Sequence, residues 1–324
     1  MVRRGNLDDA PPVRSTDLPT PRSALAVVAH PDDAEFQCGG TLAKWARAGC
    51  EVHHLVLTDG SKGTWDPHVD QAALIARRQH EQEEASRRLG GASVTFLGLT
   101  DGELVAGFDQ RAAVSAVIRR LRPTVVLGHD PWTRYRLHPD HAAAGRLCVD
   151  GIVAARDPFF HPEQLTGGLT VHRPDALLLF EPDVPDHAES LSTADVEAKI
   201  AALEAHESQF ETTHLHHAGT AVSAVGDAHD RATALQAFRE REWAIVEATG
   251  AWAGVQYAEH FHLIALPPDR RSALNSSRPE RPTTGTLADA LVSRRRWWAA
   301  LPEPSSTARA TVRSPARSPR GRRG

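Results

Sequence analysis

The sequence is poor in cysteine. Its 324 residues include three cysteines, Cys38, Cys50 and Cys148, which lie far apart and form no CxxC pair. This spacing excludes a disulfide framework and is typical of proteins from a reducing compartment. The first residues also lack the apolar run of about seven or more residues that a secretory signal requires. We therefore expect a cytoplasmic protein.

Long apolar stretches and an excess of positive charge are also missing. No segment approaches the roughly 20 apolar residues of a transmembrane helix, so no membrane span is predicted. The formal net charge is −4, so we expect no nucleic-acid partner. Histidine is abundant, at 18 residues, which raises the prospect of metal chemistry. The oligomeric state stays open, and a homo-oligomer is compatible with the sequence.

Both ends of the chain differ in composition from its middle. Residues 1–22 are rich in proline and carry no apolar pattern, so we predict a flexible N-terminal arm. From residue 267 onward Pro, Ser and Arg dominate, and residues 267–324 are predicted to form a largely disordered tail. Residues 23–266 remain as a single folded domain.

Within this domain, short apolar runs alternate with amphipathic segments. The runs predict strands at 24–29, 52–57, 94–97, 124–127, 176–180 and 262–265, and the segments between and after them predict helices at 41–48, 72–89, 110–121, 139–155, 193–206 and 231–249. This alternation favours βαβ units with right-handed crossovers. The predicted fold class is α/β, a Rossmann-like three-layer α/β/α arrangement with a mostly parallel sheet.

Potential metal ligands follow two of the predicted strands. The motif HPDDAE at 30–35 comes directly after the first strand, and HPDH at 138–141 comes after the fourth strand and its long loop. Ligands of open parallel sheets bind at the carboxyl ends of the strands. Imidazole and carboxylate groups are the ligands that zinc uses where cysteine is absent. A single HPD tripeptide is usually only a turn, but two such clusters at strand ends indicate a metal site.

The spacing within these motifs suggests a division of roles. Asp32 and Asp33 are adjacent, so we expect one carboxylate to bind metal while the other faces a water molecule. His138 and His141 are three residues apart and are neighbours if a helix begins there. A nucleotide-binding Rossmann domain is disfavoured because the chain has no GxGxxG motif.

The order of the motifs resembles the PIG-L/LmbE-like N-acetylglucosaminyl deacetylase family. The similar segments, in chain order, are LAVVAHPDDAEFQCGGTLAKWARAGCEVHHLVLTDG at 25–60, RQHEQEEASRRLG at 78–90, FLGLTDGEL at 96–104, HPDH at 138–141, HESQ at 206–209 and YAEHF at 257–261. They extend over roughly residues 24–265. The AHPDD and HPDH pair is specific, whereas HESQ and YAEHF are weaker signals alone.

The resemblance implies a catalytic metal site. Its metal ligands would be His30, Asp33 and His141, with Zn²⁺ as the metal, although this ligand set also suits Fe²⁺. Asp140 would orient a histidine from outside the ligand set. Residues 23–266 would then form a metal-dependent deacetylase domain.

The same resemblance assigns the remaining site residues. Asp32 would be the general base that deprotonates water, and His138 would stabilise the oxyanion or protonate the leaving amine. Arg78 and Asp101 would contact the substrate. Tyr135 lies in the loop before HPDH, where a tyrosine would help to bind the tetrahedral intermediate.

The function implied is that of a metal-dependent hydrolase acting on a linear amide C–N bond. It would remove the acetyl group of an N-acetylglucosamine-type sugar or glycoconjugate. Two alternatives remain, namely an amidase acting on a bulkier acyl-amino sugar such as a thiol S-conjugate, and a non-catalytic metal- or sugar-binding module. The presence of Asp32, a base that need not be a ligand, argues against the second. A further histidine cluster at 214–217 is interpreted as a loop with adventitious metal affinity.

Overall fold

A computed structural model describes residues 11–214 and 228–266 of the chain. Its strands are β1 (Ser15–Thr16), β2 (Ser23–Val28), β3 (Glu51–Thr58), β4 (Ser93–Leu99), β5 (Val125–His129), β6 (Ala176–Phe180), β7 (His187–Leu191) and β8 (Tyr257–Ala265). Its α-helices are α1 (Asp33–Arg47), α2 (Gln71–Arg88), α3 (Phe108–Leu121), α4 (Pro139–Arg156), α5 (Pro162–Thr166), α6 (Thr193–Leu203) and α7 (Ala228–Ala253). Short 3₁₀ and π turns span Glu207–Gln209 and Phe210–His214.

The eight strands form one mixed sheet in the order β1-β7-β8-β6-β5-β2-β3-β4. Strands β2 to β6 pair in parallel, and β8 runs antiparallel to both β6 and β7. The prediction of a mostly parallel α/β sheet is confirmed. The antiparallel β8 extends the sheet beyond its parallel part.

Both faces of the sheet are buried, as strand β2 shows most clearly. Its alternate residues Ala24, Ala26 and Val28 contribute to a cluster that includes side chains of α1, α2 and α6. The intervening Leu25 and Val27 belong to a second cluster with side chains of α3 and α4. Because successive side chains of a strand point to opposite faces, helices cover the sheet on both sides. The three-layer arrangement is therefore confirmed.

Strand β2 lies at the point where the strand order reverses. It pairs with β3 on one side and with β5 on the other, and both pairs are parallel. In open α/β sheets such a switch point leaves a crevice at the carboxyl ends of the two strands. The HPDDAE motif follows β2, so the fold places it at this crevice.

Residues 11–22, which belong to the predicted N-terminal arm, make several contacts with the domain. Ser15 and Thr16 form an edge strand against β7, and Val13 packs in an apolar cluster of the domain. Asp17 accepts a hydrogen bond from Lys44 at 2.6 Å. These contacts fix a segment that is too short and too polar to show a strand pattern. Residues 1–10 and the predicted tail at 267–324 lie outside the described residues.

The histidine cluster at 214–217 is described only at its first member. His214 is buried rather than exposed in a loop, and its ring nitrogens lie 3.1 Å and 3.0 Å from the carbonyl oxygens of Gln209 and Leu203. Aromatic neighbours, including Phe36, surround the ring. His214 is therefore a core residue. Within the described residues no helix has the length and apolar character needed to cross a membrane.

Candidate active site

The loop after β2 forms the centre of the site. Asp32 has a φ of 98°, in the left-handed region that a non-glycine residue adopts at some energetic cost. Its backbone N–H donates to Gln82 Oε1 at 2.9 Å, which holds this conformation. Helix α1 begins at the next residue, and the backbone N–H of His30 donates to Asp33 Oδ2 at 2.8 Å. The turn therefore directs the two neighbouring carboxylates to different surroundings.

The imidazole of His30 is surrounded by carboxylates. Its Nε2 lies 3.1 Å from Asp101 Oδ1 and 3.1 Å from Asp140 Oδ2, and its Nδ1 lies 3.5 Å from Asp33 Oδ2. Burial alone would lower the pKa of His30, but contacts with these three carboxylates raise it well above its usual value. Asp140 also accepts the backbone N–H of Leu104 at 3.1 Å, so it is fixed in place. Such contacts orient the Nδ1 face of His30 toward Asp33.

The carboxylate of Asp33 lies between two histidines. Its Oδ1 is 3.3 Å from His141 Nε2, and its Oδ2 is 3.3 Å from His129 Nε2. Burial by itself would raise the pKa of Asp33, but His141 and His129 hold it well below its usual value. Because Oδ2 also accepts the His30 backbone N–H, Oδ1 is the less committed oxygen of this carboxylate. The two histidine rings stack with centroids 4.3 Å apart.

Three groups of donor atoms in this region are close enough to hold a metal ion. Within each group the donor atoms lie within 4.8 Å of one another, and the groups are His30, His138 and His141; Asp33, His129 and His141; and His30, Asp101 and Asp140. The predicted ligands His30, Asp33 and His141 belong to the first two groups, which share His141. Imidazole nitrogens and carboxylate oxygens fit a divalent transition metal. The cluster is therefore a candidate metal centre.

His129 and Glu181 are the site residues that the sequence analysis missed. His129 Nδ1 lies 3.3 Å from Glu181 Oε2, and Arg136 forms an ion pair with the same carboxylate. Burial would lower the pKa of His129, but Asp33 and Glu181 raise it. Basic and acidic side chains therefore alternate in a row of contacts that runs from Arg136 through Glu181 and His129 to Asp33. The signal was present, because His129 ends β5 and Glu181 directly follows β6, and functional groups collect at strand ends.

Asp32 has an environment unlike that of Asp33. Burial raises the pKa of Asp32 to about 6, although the positive charge of Arg78 opposes this shift. The Arg78 Nη2 lies 3.6 Å from Asp32 Oδ2 and donates to the carbonyl of Pro31 at 2.7 Å. A carboxylate whose pKa approaches neutrality is suited to exchange protons with substrate or water.

A buried polar network lies behind Asp32. Gln82 accepts the Asp32 N–H and donates to Glu35 Oε1 at 2.7 Å. The other oxygen of Glu35 is 3.6 Å from His206 Nε2, in the HESQ segment. All of these side chains except Asp32 are fully buried, and Asp32 is 5% exposed. The network supports the backbone turn of the site from the protein interior.

The two motif histidines differ in exposure. His138 is exposed, and its Nδ1 accepts the backbone N–H of Asp140 at 3.3 Å, which caps helix α4. The acceptor role of Nδ1 leaves the proton of a neutral ring on Nε2. The His138 ring lies edge-on to His30, with centroids 4.6 Å apart. His138 thus presents a donor at the mouth of the site.

A cavity of about 960 Å³ connects these side chains. The predicted site residues that line it are His30, Asp32, Asp33, Arg78, Asp101, His138 and His141. Polar atoms of Arg78 and Asp101 are already used: Arg78 donates to the carbonyls of Pro31 and Gly60, and Asp101 accepts the backbone N–H of Lys62. Asp140 lies buried beside the cluster.

Tyr135, the remaining residue predicted to contact substrate, does not line this cavity. Its side chain is 88% exposed, and its φ is 59°. The residues around it are tied to the loop after β6, since Thr133 Oγ1 donates to the carbonyl of Glu181 at 2.8 Å and Arg136 pairs with the same residue. Tyr135 is left at the apex of a turn that faces solvent.

Comparison with known proteins yields a family and close relatives. Residues 25–152 match the model of the PIG-L family, described as GlcNAc-PI de-N-acetylase. The diacetylchitobiose deacetylase of Thermococcus kodakarensis is 36% identical over 189 residues, which cover 58% of this chain and 70% of that protein. The 4-oxalmesaconate hydratase of Pseudomonas putida is 29% identical over 173 residues, covering 52% of this chain and 64% of that protein.

The solved structures include a similar fold. The N,N'-diacetylchitobiose deacetylase of Pyrococcus horikoshii, in complex with an inhibitor, superposes with a TM-score of 0.65 at 26% identity. The match covers 78% of this chain and 89% of that one. Given the family match, the 36% identity and the shared α/β architecture, this chain belongs to the PIG-L family of de-N-acetylases.

Proposed function

We propose that this protein hydrolyses the N-acetyl amide of an N-acetylglucosamine-type sugar or glycoconjugate, releasing acetate and a free amine. The observation that carries the proposal is the different setting of two adjacent carboxylates. Asp33 lies among histidines that keep it ionised, whereas Asp32 lines the cavity with a pKa of about 6. An acidic turn without catalytic function has no need for this division.

The donor set supports a zinc ion held by His30, Asp33 and His141, and Fe²⁺ is the alternative with the same ligand preference. When bound, such a cation polarises an amide carbonyl and lowers the pKa of water toward about 7. Asp140 and Asp101 would keep His30 oriented, since both contact its Nε2 at 3.1 Å. Asp33 has a corresponding support in His129.

The remaining steps belong to the chain's own side chains. Asp32 takes a proton from the attacking water, which adds to the carbonyl carbon of the acetamide. The Nε2–H of His138 donates to the oxygen that gains negative charge, a form of stabilisation often worth several kcal/mol. Asp32 then returns its proton to the sugar nitrogen as the C–N bond breaks. His138 is suited to the donor role because its Nδ1 is occupied by the N–H of Asp140.

The cavity is large enough for an acyl group longer than acetyl. The amidase alternative therefore uses the same reaction and the same side chains, and differs from the deacetylase only in the size of the acyl group that is bound. The similarity to a hydratase raises a second candidate, addition of water to a carbon–carbon double bond. Both reactions need a base and an activated water. The carboxylate–histidine arrangement serves either one, and the products distinguish them.

The test is a substrate panel with two separate readouts. Metal-loaded protein is incubated with N-acetyl, N-propionyl and N-hexanoyl glucosamine and with an unsaturated dicarboxylic acid, and free amine and loss of alkene absorbance are followed. We expect amine release that is fastest for the acetyl compound and absent in Asp32→Asn. Fastest turnover of N-hexanoyl glucosamine would favour the bulkier amidase. Loss of alkene absorbance without amine release from any sugar would overturn the proposal.

A further inference from the structure

The HESQ segment at 206–209 ends in a buried glutamine that the mechanism does not use. Gln209 is 2% exposed and lies in the wall of the cavity. Its Nε2 donates to the carbonyl of Gly63 at 3.0 Å and to Ser208 Oγ at 3.0 Å, and its Oε1 accepts from Thr212 Oγ1 at 3.2 Å. Because both ends of the amide are bonded within the protein, Gln209 is suited to hold other parts of the chain and not to bind a substrate.

Gly63 belongs to the loop after β3, and this loop contacts Arg78. The N–H of Gly63 donates to the carbonyl of Gly60 at 3.2 Å, and Arg78 Nη1 donates to the same carbonyl at 2.9 Å. Arg78 Nη2 donates to the carbonyl of Pro31 at 2.7 Å and lies 3.6 Å from Asp32 Oδ2. A row of contacts therefore leads from the HESQ segment across the loop to the turn that carries Asp32.

The loop, the guanidinium and the amide are closely packed. A Cβ added to Gly63 would overlap Arg78 Nη1 and lie 2.7 Å from Gln209 Oε1, which is closer than real Cβ atoms approach. At Gly60, whose φ of 67° favours glycine, a Cβ would lie 2.8 Å from the same nitrogen. Since the guanidinium packs directly on the backbone of the loop, a displacement of the loop would move the guanidinium as well.

The HESQ segment is also anchored to helix α2, which carries Arg78. The backbone N–H and the Oγ of Ser208 donate to the carboxylate of Glu81 in this helix, at 2.9 Å and 2.5 Å. Glu81 is buried, so water has little access to these bonds. The contacts thus form a closed ring from α2 through the HESQ segment and the loop back to Arg78.

We propose that Gln209 is a positioning residue: by holding the loop after β3 it keeps the Arg78 guanidinium against the carbonyl of Pro31, and so fixes the turn that carries Asp32. The inference rests on the proposed function, because its effect on the reaction passes through Asp32. The effect on the loop does not depend on catalysis and is measured separately.

The first measurement is the rate at which a lysine-specific endoproteinase cleaves after Lys62, the residue before Gly63. The other two lysines of the chain are Lys44 in helix α1 and the buried Lys199, so the fragment masses identify cleavage in the loop. Gln209→Met keeps the length of the side chain and removes the donor to the loop. We expect cleavage after Lys62 to accelerate about two- to tenfold, the range for loss of one neutral hydrogen bond.

The second measurement is the kinetics of amine release from an N-acetylated amino sugar. Gln209→Met should lower kcat about tenfold and leave KM within about threefold of wild type, because a shift of Asp32 affects the transition state more than binding. Arg78→Met should lose at least as much kcat. If Gln209 acts through Arg78, the double variant should match Arg78→Met within about twofold, whereas independent losses would multiply.

Gln164→Met is the matched control. Gln164 Nε2 donates to the carbonyl of Ala112 at 2.8 Å and its Oε1 accepts from Arg119, so its amide is engaged like that of Gln209. Gln164 lies in helix α5 and does not line the cavity. The control should keep the wild-type kcat and the wild-type rate of cleavage after Lys62.

Each further result decides the proposal. Gln209→Glu keeps the acceptor for Thr212 but has no donor for the carbonyl of Gly63, so it should show the same changes and replaces Gln209→Met if that variant does not fold. An unchanged rate of cleavage after Lys62, or losses of kcat that multiply in the double variant, would overturn the proposal. If wild-type protein releases no amine from any N-acetylated sugar, the proposed function fails, and the cleavage rates then decide whether Gln209 holds the loop.

Discussion

The support of Asp33 by His129 gives a prediction whose size follows from the structure. His129→Leu keeps most of the side-chain volume and removes the ring nitrogen Nε2, which lies 3.3 Å from Asp33 Oδ2. A hydrogen bond to a charged group contributes about 1.5–3 kcal/mol, and loss of comparable partners of metal ligands weakens metal affinity about 10- to 100-fold. On that oxygen Asp33 would keep the His30 backbone N–H and the more distant His30 Nδ1, at 3.5 Å. We therefore expect the Kd for zinc to rise by about one to two orders of magnitude.

The assay is competition for zinc between metal-free protein and a chromophoric chelator of known affinity. His129→Gln, which retains an N–H donor, should recover part of the affinity. If His129 were itself a ligand, Gln would be as damaging as Leu. His172→Leu serves as the control, because His172 is partly buried and contacts the carbonyl oxygen of Pro123 at 2.8 Å, at the opposite end of β5. A zinc Kd for His129→Leu within about twofold of the control would refute the reasoning, since even the weaker bond predicts about tenfold.

Three further outcomes follow from the same geometry. Asp32 must be ionised to act as a base, so kcat/KM should fall as the pH drops below the Asp32 pKa of about 6. A bound cation favours ionisation and would move this fall to a lower pH. A pH–rate profile whose acidic limb is centred near about pH 8 would exclude Asp32 as the base. Gln82→Leu removes the acceptor of the Asp32 N–H and should lower turnover about tenfold or more while metal content is retained. If metal content fell as much as turnover, the substitution would act through the metal site and not through the position of Asp32. The ammonium of Lys199 lies 2.6 Å from the buried carboxylate of Glu259, so Lys199→Met leaves that carboxylate without its cation. We expect this to lower the free energy of unfolding in urea by about 3–5 kcal/mol, and addition of Glu259→Gln should restore part of the loss. A loss below about 1 kcal/mol would contradict the importance of the buried pair.

The sequence predicts the parallel part of this fold because its central strands are buried on both faces. Strands such as β2 and β6 are continuous apolar runs, which a local pattern identifies. Strand β7 has no such run, because Glu189 within it is buried through contacts with Lys44 and with the backbone N–H of Leu18. Those partners come from distant parts of the chain. A strand whose burial depends on ion pairs cannot be identified from its own residues.

The candidate site shows the same limit. His30, Asp33 and His141 were identifiable because the motifs place them beside strand ends, and the structure brings them together. His129 was missed because β5 was predicted to end at residue 127, two residues early, which moved the histidine into the loop. The exposure of Tyr135 depends on contacts of its neighbours with the loop after β6, which sequence proximity does not reveal.

The central claim is that Asp32 and Asp33 have different roles in one hydrolytic site. The most direct test measures metal content and amine release from an N-acetylated amino sugar for Asp32→Asn and Asp33→Ala. Asp32→Asn should retain stoichiometric metal and lose about 10²- to 10⁴-fold in turnover, because the water lacks its base. Asp33→Ala should lose the metal, because its histidine-flanked carboxylate is removed. Near-normal turnover of Asp32→Asn, or loss of metal from Asp32→Asn with retention in Asp33→Ala, would contradict the account.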